Sequence, residues 1–295
     1  MTYSSTYDDL KICHPAPEDK WMLTDLWQDS FNDPPEYIEF FFNHVYKPEN
    51  TLVIKRNGFV VSALQMIPYK VKFLQSILPA AYICGVCTHP FERGQGLMKE
   101  LIASAKSELY SKGFSLAFLI PAEVSLYEYY IRAGFTQHLY QNTKSMDKNH
   151  PTFLNVKMND YSFEDCTQEH FPFFDRLQNL RKRTILHDEQ DFNSILQEYQ
   201  HFEGKVIVAL ENQKPTGIAF AVKSSCSEAV IKDVLAENEH THLALYKYTL
   251  QCFDVLVLRI HSPWENVFGS NLYGLYCFLK RPIYRFNFHA SLVHD

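Results

Sequence analysis

Val86-Cys87-Thr88-His89-Pro90-Phe91-Glu92-Arg93-Gly94-Gln95-Gly96-Leu97-Met98 reads as a strand that stops and a helix that starts. The run before it, Ala81 to Thr88, is apolar and partly β-branched, and Pro90 has no N–H to give to a sheet, so the strand should end there. Beyond the loop, Leu97, Leu101, Ala105 and Leu109 recur at helical spacing with Lys99, Glu100, Lys106 and Glu108 between them. Gly113 is placed to end that helix. The first N–H groups of a helix have no partner within it, and its dipole adds partial positive charge. Two glycines at such a start let an anion approach the backbone, and Arg93 adds a full charge, so the loop Arg93 to Gly96 suits a phosphate.

Downstream come a second short apolar strand, Ser115 to Ile120, and then the segment Ser125 to Phe135, which closes on Tyr130-Ile131-Arg132-Ala133-Gly134-Phe135. Strand, Arg-Gly-x-Gly helix, strand and a helix ending in Tyr-x-x-x-Gly-Phe together resemble the GNAT superfamily of acetyl-CoA-dependent N-acyltransferases. Thr-His-Pro-x-x-Arg-Gly-x-Gly-Leu-Met is similar to the branch named for enhanced intracellular survival, whose members acetylate amines. Met98 stands where the superfamily pattern often has a small residue.

The order of predicted elements repeats along the chain. Helical patterns at Glu18 to Trp27 and Pro35 to Val45 precede strands Thr51 to Lys55 and Phe59 to Ile67, joined by Arg56-Asn57-Gly58. Helical patterns at Glu169 to Arg183 and Asp188 to His201 precede strands Val206 to Leu210 and Gly217 to Val222. Ala229 to Leu235, a helix from about Leu243 to Phe253 and the strand Val255 to Ile260 complete the second set. Where the first copy has Arg93-Gly94-Gln95-Gly96, the second has Glu237-Asn238-Glu239-His240, with no glycine and two carboxylates that repel pyrophosphate. The expected fold is α+β: two tandem GNAT-like domains, each a mixed, mostly antiparallel sheet flanked by helices. Residues 1–147 would form the catalytic domain and 148–295 a degenerate copy, with the polar stretch Lys144 to Pro151 as linker. The third, sterol-carrier-like domain of the resembled branch is not expected within these 295 residues.

Composition sets the frame around this reading. With 295 residues, 46% of them hydrophobic and 21% charged, the chain can bury two cores. Seven cysteines, an odd number, do not read as a disulfide framework, and Met1 to Lys11 lacks the apolar stretch of a signal peptide, so a cytoplasmic location is expected. No apolar run approaches the length of a bilayer span, and a formal net charge of -6 argues against nucleic acid as partner. Arg181, Lys182 and Arg183 read as a solvated helix face. Cys84 and Cys87 lie inside a predicted strand, away from any helix N-terminus and without a second pair, so neither redox chemistry nor metal is expected there. The other cysteines read as buried apolar residues, and the aromatic tail Tyr273 to Phe288 as core and interdomain packing.

The resemblance implies acetyl-CoA as acyl donor, no metal, and direct attack by a primary amine of a small molecule or a lysine-type acceptor. It assigns the pantetheine arm to the strand end at Val86, Cys87 and Thr88, with an oxyanion-facing N–H near Val86 or Cys87. The pyrophosphate falls to Arg93, Gly94, Gln95, Gly96, Leu97 and Met98. It assigns the general acid to Tyr130, whose phenol, with a reference pKa of about 10, stays protonated at neutral pH. An amine with a lysine-like pKa near 10.4 costs about 4.6 kcal/mol to neutralise at pH 7, so a base is useful. Glu123, the C-terminal carboxylate at Asp295 and a water chain are all open for that role. Asp29, Asp33, Glu36 and Glu39, set among Phe31, Tyr37, Phe40, Phe41 and Phe42, would suit a cationic acceptor as well as an ordinary amphipathic surface. Two rival functions are a non-catalytic coenzyme A-binding or interaction protein and an aminoacyl-tRNA-dependent tandem-GNAT transferase. The intact phosphate loop and the acidic charge argue against the second. The acceptor's identity and the oligomeric state, a homo-oligomer included, are left open.

Overall fold

The computed structural model describes residues 9–263, 270–280 and 288–292. In chain order the elements are β1 (Leu10–Cys13), α1 (Lys20–Ser30), α2 (Pro35–His44), β2 (Thr51–Arg56), β3 (Phe59–Phe73), β4 (Ser76–Thr88), α3 (Leu97–Ser111), β5 (Leu116–Leu119), α4 (Val124–Arg132) and β6 (Gln137–Asp147). The second half adds β7 (Tyr161–Asp165), α5 (Phe171–Leu180), β8 (Arg183–Leu186), α6 (Glu189–His201), β9 (Lys205–Glu211), β10 (Lys214–Lys223), β11 (Glu228–Ala236), α7 (Glu239–Cys252), β12 (Val257–Pro263) and β13 (Ser270–Phe278).

Among the described residues the thirteen strands form one sheet, ordered β1-β2-β3-β4-β5-β13-β6-β12-β11-β10-β9-β7, with β8 pairing to β3 off that path. β4–β5 and β11–β12 are parallel and the other pairings between strands are antiparallel. The fold is α+β, a mixed and mostly antiparallel sheet flanked by helices. Local chemistry sets its turns. Asn57 (φ 51°) and Gly58 (φ 86°) close the β2–β3 hairpin in the left-handed conformation such a turn needs, and Asn212 (φ 51°) with Gln213 (φ 62°) does the same between β9 and β10.

The halves meet by exchange of strands. β13, from the far end of the chain, lies between β5 and β6, while β6 pairs on its other edge with β12. Lys144 to Asp147, expected as linker, continue β6 and pair with Val257 to Ile260. A second crossing comes from β8, whose residues Arg183 to Leu186 pair with Lys70 to Phe73.

That crossing corrects the reading of Arg181 to Arg183 as a helix face. α5 ends at Leu180, Arg181 is already extended, and its guanidinium donates to both carboxylate oxygens of Asp233 at 2.7 and 2.8 Å and to the Val234 carbonyl at 2.7 Å. Asp233 is fully buried, also accepts from Ser291 Oγ at 2.6 Å, and is held well below the usual carboxylate range by Arg181 against the cost of burial.

α3 and α4 cover one face of the first half, where Leu101, Leu119 and Phe135 are fully buried. α1 and α2 pack on the other face around Trp27, Phe41 and Phe42. Each such side chain contributes about 1.5–3 kcal/mol of transfer free energy. In the second half α7 covers one face, and α5 and α6 the other. α7 starts earlier than the apolar pattern suggested, because Asn238 caps it: its Oδ1 accepts from the Thr241 N–H at 2.9 Å. No described helix is long and apolar enough to cross a membrane.

Candidate active site

The site begins where β4 and β5 part. They pair only from Ala80 to Tyr82 against Leu116 to Phe118; β5 then stops at Leu119 and β4 runs on to Thr88. From Ile83 onward that edge of β4 has no strand partner among the described residues. A bulge lies in the same stretch. Gln65 pairs with Cys84 and Ala63 with Cys87, so Gly85 and Val86 stand opposite the single residue Leu64. Gly85 has φ 56°, and a Cβ there would lie 2.5 Å from Trp27 Cζ3, so both backbone and packing require glycine.

The bulge sorts the strand-end residues. The Val86 side chain packs on the α3 side, and Cys84 and Cys87 pack on the α1 side. The buried Cys87 thiol is pushed up to about 12 by desolvation. The Cys87 carbonyl accepts from Ser62 Oγ on β3 at 3.0 Å, and the His89 N–H donates to the Val61 carbonyl on the same strand at 2.9 Å. Alternation along an extended strand therefore turns the backbone groups of Val86 and Thr88 to the open edge. One group there already has a partner: Arg93 Nε donates to the Thr88 carbonyl at 3.0 Å. This bond draws the guanidinium across the end of the strand, and no carboxylate pairs with it among the described residues.

The loop that follows is braced from below. Arg56 Nη2, at the end of β2, lies 3.0 Å from Glu92 Oε2 and donates to Gln95 Oε1 at 2.8 Å, while Gln95 Nε2 donates to the same Glu92 oxygen at 3.0 Å. The Gln95 side chain is thus a strut, and only its backbone is left for a ligand. Gly94 (φ 80°) and Gly96 (φ 83°) are both left-handed, and a Cβ on either would meet nothing within 4 Å. They are needed for conformation, and the space before them is open. No side chain caps α3 behind Gly96, so its first N–H groups face that space. Leu97 is buried beneath, and Met98 is half-buried against the same core. At the corresponding point of the second half, α7 is capped by Asn238 and Glu237 is paired with Arg176 at 2.5 Å.

α4 carries Tyr130 to the other side of the parting strands. Its C-terminal turn explains the Tyr-x-x-x-Gly-Phe spacing: the Phe135 N–H donates to the Tyr130 carbonyl at 3.0 Å and the Gly134 N–H to the Ile131 carbonyl at 2.9 Å, with Gly134 at φ 97°. This Schellman cap sets the Phe135 ring edge-on to Tyr130, with centroids 6.2 Å apart. Tyr130 is 7% exposed, among Ile83, Leu97 and Leu119. Burial pushes its phenol up, with smaller contributions from Tyr129 and from the Cys87 and Cys84 thiols. It stays protonated at neutral pH.

The remaining expectations separate. Glu123 is exposed at the start of α4, accepting from Ser125 Oγ at 3.1 Å, and Asp295 lies outside the described residues. Asp33 accepts from Trp27 Nε1 at 2.7 Å; Asp29, Glu36 and Glu39 are exposed, and Phe40, Phe41 and Phe42 are buried. Tyr37, from the same helix, lines a cavity of about 230 Å³ under α2 and α6. Neither that cavity nor the Gly85 bulge was foreseen; a glycine within an apolar strand is the one signal that points to a bulge. Among the described residues, no group of three His, Cys, Asp or Glu could hold a metal ion.

Comparison with known proteins now bears on this geometry. Residues 14–137 match the family model of the acetyltransferase (GNAT) domain. A GCN5-related N-acetyltransferase from Anabaena variabilis is similar over 92% of this chain and 73% of its own, at 14% identity and a TM-score of 0.71. Eis1 from Mycobacterium abscessus is similar over 92% of this chain and 74% of its own, at 13% identity and a TM-score of 0.67. A tandem GNAT protein from the clavulanic acid biosynthesis pathway aligns over 93% of this chain and 100% of its own, at 14% identity and a TM-score of 0.51. At these identities the likeness is one of fold, the tandem GNAT fold. No curated protein sequence matches the chain.

Proposed function

We propose that the protein is an acetyl-CoA-dependent N-acetyltransferase of the cytoplasm that moves an acetyl group to a primary amine by direct attack, with residues 1–147 as its catalytic domain and 148–295 as a degenerate copy. The observation that carries this reading is the continuity of an unpaired β4 edge with the uncapped N-terminus of α3. The residues fit the donor. The open space before Gly94 and Gly96, the N–H groups of the first turn and Arg93, which no carboxylate pairs, suit a pyrophosphate, and the edge-facing backbone of Val86 with the Thr88 N–H suits an extended amide-bearing arm. Acetyl-CoA supplies the activated thioester when bound. Val86 N–H is the donor for the oxygen that gains charge, where a preorganised hydrogen bond is worth about 3–4 kcal/mol. Tyr130 holds the proton that the leaving sulfur takes, and its buried phenol keeps that proton until charge develops nearby. The second half is less suited to the same donor, because Asn238 Oδ1 already takes the Thr241 N–H at the start of α7 and no glycine opens the backbone there.

Calorimetric titration with acetyl-CoA tests the reading. The wild type should bind at one site per chain and Arg93→Glu should lose the binding, whereas unchanged affinity in the variant removes the loop from the assignment. Tyr130→Phe should keep the affinity and lower turnover by about 100-fold. Binding without turnover of any amine would favour a coenzyme A-binding protein instead.

A further inference from the structure

The cavity of about 230 Å³ lies on the α2 and α6 side of the sheet. Its floor crosses β13, β6, β12 and β11, contributed by Tyr273, Gln141, His261 and Lys232, which are consecutive strands. Its roof includes Tyr37, Glu198, Tyr199 and Phe202. At one end Tyr273 adjoins the parting of β4 and β5: it is the bulged residue between Leu272 and Gly274, just beyond the pairing of Leu275 with Leu119. Tyr273, Cys84 and Ile120 also pack against one cluster on this face. At the other end stands Lys232, roughly 14 Å away across three strand spacings.

Lys232 is itself the product of a bulge. Phe220 pairs with Asp233 and Ala221 with Ile231, which leaves Lys232 as the extra residue of β11. It falls where β11 and β12 cease to pair, after Ile231 and Ile260, and His261 is the next residue of β12. This is the second half's counterpart of the first parting of strands. Its neighbour Asp233 is already held by Arg181 and Ser291, so its carboxylate is not available to Lys232. Lys232 is half-buried and makes no hydrogen bond or ion pair among the described residues. The His261 imidazole is pushed down to about 4 by burial, with Lys232 and Arg259 adding to the effect, so it is neutral and free to donate or accept. The Glu198 carboxylate also lines the cavity, but it has a partner of its own and is not paired with Lys232; that leaves a half-buried ammonium without a counter-ion, beside a neutral imidazole and under aromatic walls, to receive an anion with an apolar body.

We propose that this cavity binds the carboxylate end of the acceptor, an amine carried on an apolar chain that ends in a carboxylate, with Lys232 as its anchor. The inference rests on the acetyltransferase reading for the word acceptor, and on the cavity alone for the carboxylate. The degenerate half then has a task, since its strand parting recognises the acceptor while the first half's parting holds the donor.

The test compares the ω-aminoalkanoates from aminobutanoate to aminododecanoate, each against the alkylamine of equal chain length, by calorimetric binding and by acetylation. In the wild type the carboxylate should tighten binding and lower KM by about 10- to 100-fold for at least one length. Lys232→Met should abolish that preference, and Lys232→Arg should restore most of it. Turnover of alkylamines with no carboxylate preference at any length overturns the proposal and leaves the acetyltransferase reading standing. Carboxylate binding that needs Lys232, without acetylation, keeps the site and sinks the acetyltransferase reading. No binding of any aminoalkanoate overturns the proposal.

Discussion

Gly85→Ala probes the bulge that opens β4 toward its ligand edge. The structure gives two separate costs. At φ 56° an alanine sits in the left-handed region, about 1–2 kcal/mol above its preferred conformations. Its Cβ would also lie 2.5 Å from Trp27 Cζ3. The indole cannot easily give way, because Nε1 is bonded to Asp33 at 2.7 Å and the rings of Phe31, Phe41 and Phe42 stand 5.2, 4.6 and 5.7 Å from it. Overpacking of this kind costs about 1–3 kcal/mol, and the stiffer unfolded chain gives back about 0.4–1. The net loss should be about 3 kcal/mol. Gly94→Ala is the matched control: its φ is 80°, but a Cβ there meets nothing within 4 Å, so only the backbone cost remains, about 1 kcal/mol after the unfolded-state offset. Urea unfolding followed by tryptophan fluorescence measures both. If Gly85→Ala costs no more than Gly94→Ala, Trp27 does not fix the bulge and the packing argument is wrong.

Two further perturbations address the buried ionisable groups of the second half. Arg181→Met removes three hydrogen bonds and leaves the Asp233 carboxylate buried, which should cost about 3–5 kcal/mol in thermal or urea unfolding; a loss under about 1 kcal/mol would mean that Asp233 finds another partner. Acid should destabilise the protein through His242, His261 and His289, all pushed down by burial and held neutral in the folded state. The unfolded chain takes up protons on these groups below about pH 6.5, so their contribution is full above that pH and lost as pH falls toward 4, the folded value of His261. An unfolding free energy that stays constant from about pH 7 to pH 5 would refute it.

Much of the first half was legible because its signals are local. A left-handed glycine pair before an apolar helical pattern announces an uncapped helix start, and the Schellman bonds of Gly134 and Phe135 span only the turn that ends at Tyr130. Asn57-Gly58 fixed a hairpin by the conformations its two residues tolerate. The second copy's lack of glycine and its carboxylates were equally plain, though Asn238 as cap, and with it the earlier start of α7, passed unnoticed. The basic run at Arg181 was misread for the opposite reason: its partner, Asp233, lies fifty-two positions away, and no periodicity within α5 reports it.

The sequence by itself determined the tandem order of elements, the phosphate-suited loop at Arg93 to Gly96 and the placement of Tyr130 at a helix end, because backbone conformation and hydrogen bonds within a few residues decide each of these. Only the tertiary structure decided that β13 crosses to stand between β5 and β6, that β8 joins β3, and that a cavity with Lys232 and His261 at its far end lies beneath both halves. An apolar run such as Leu275 to Phe278 carries the propensity of a strand but not the identity of its neighbours. That choice is made by which edge lets the whole sheet bury both faces, a property of the assembled chain.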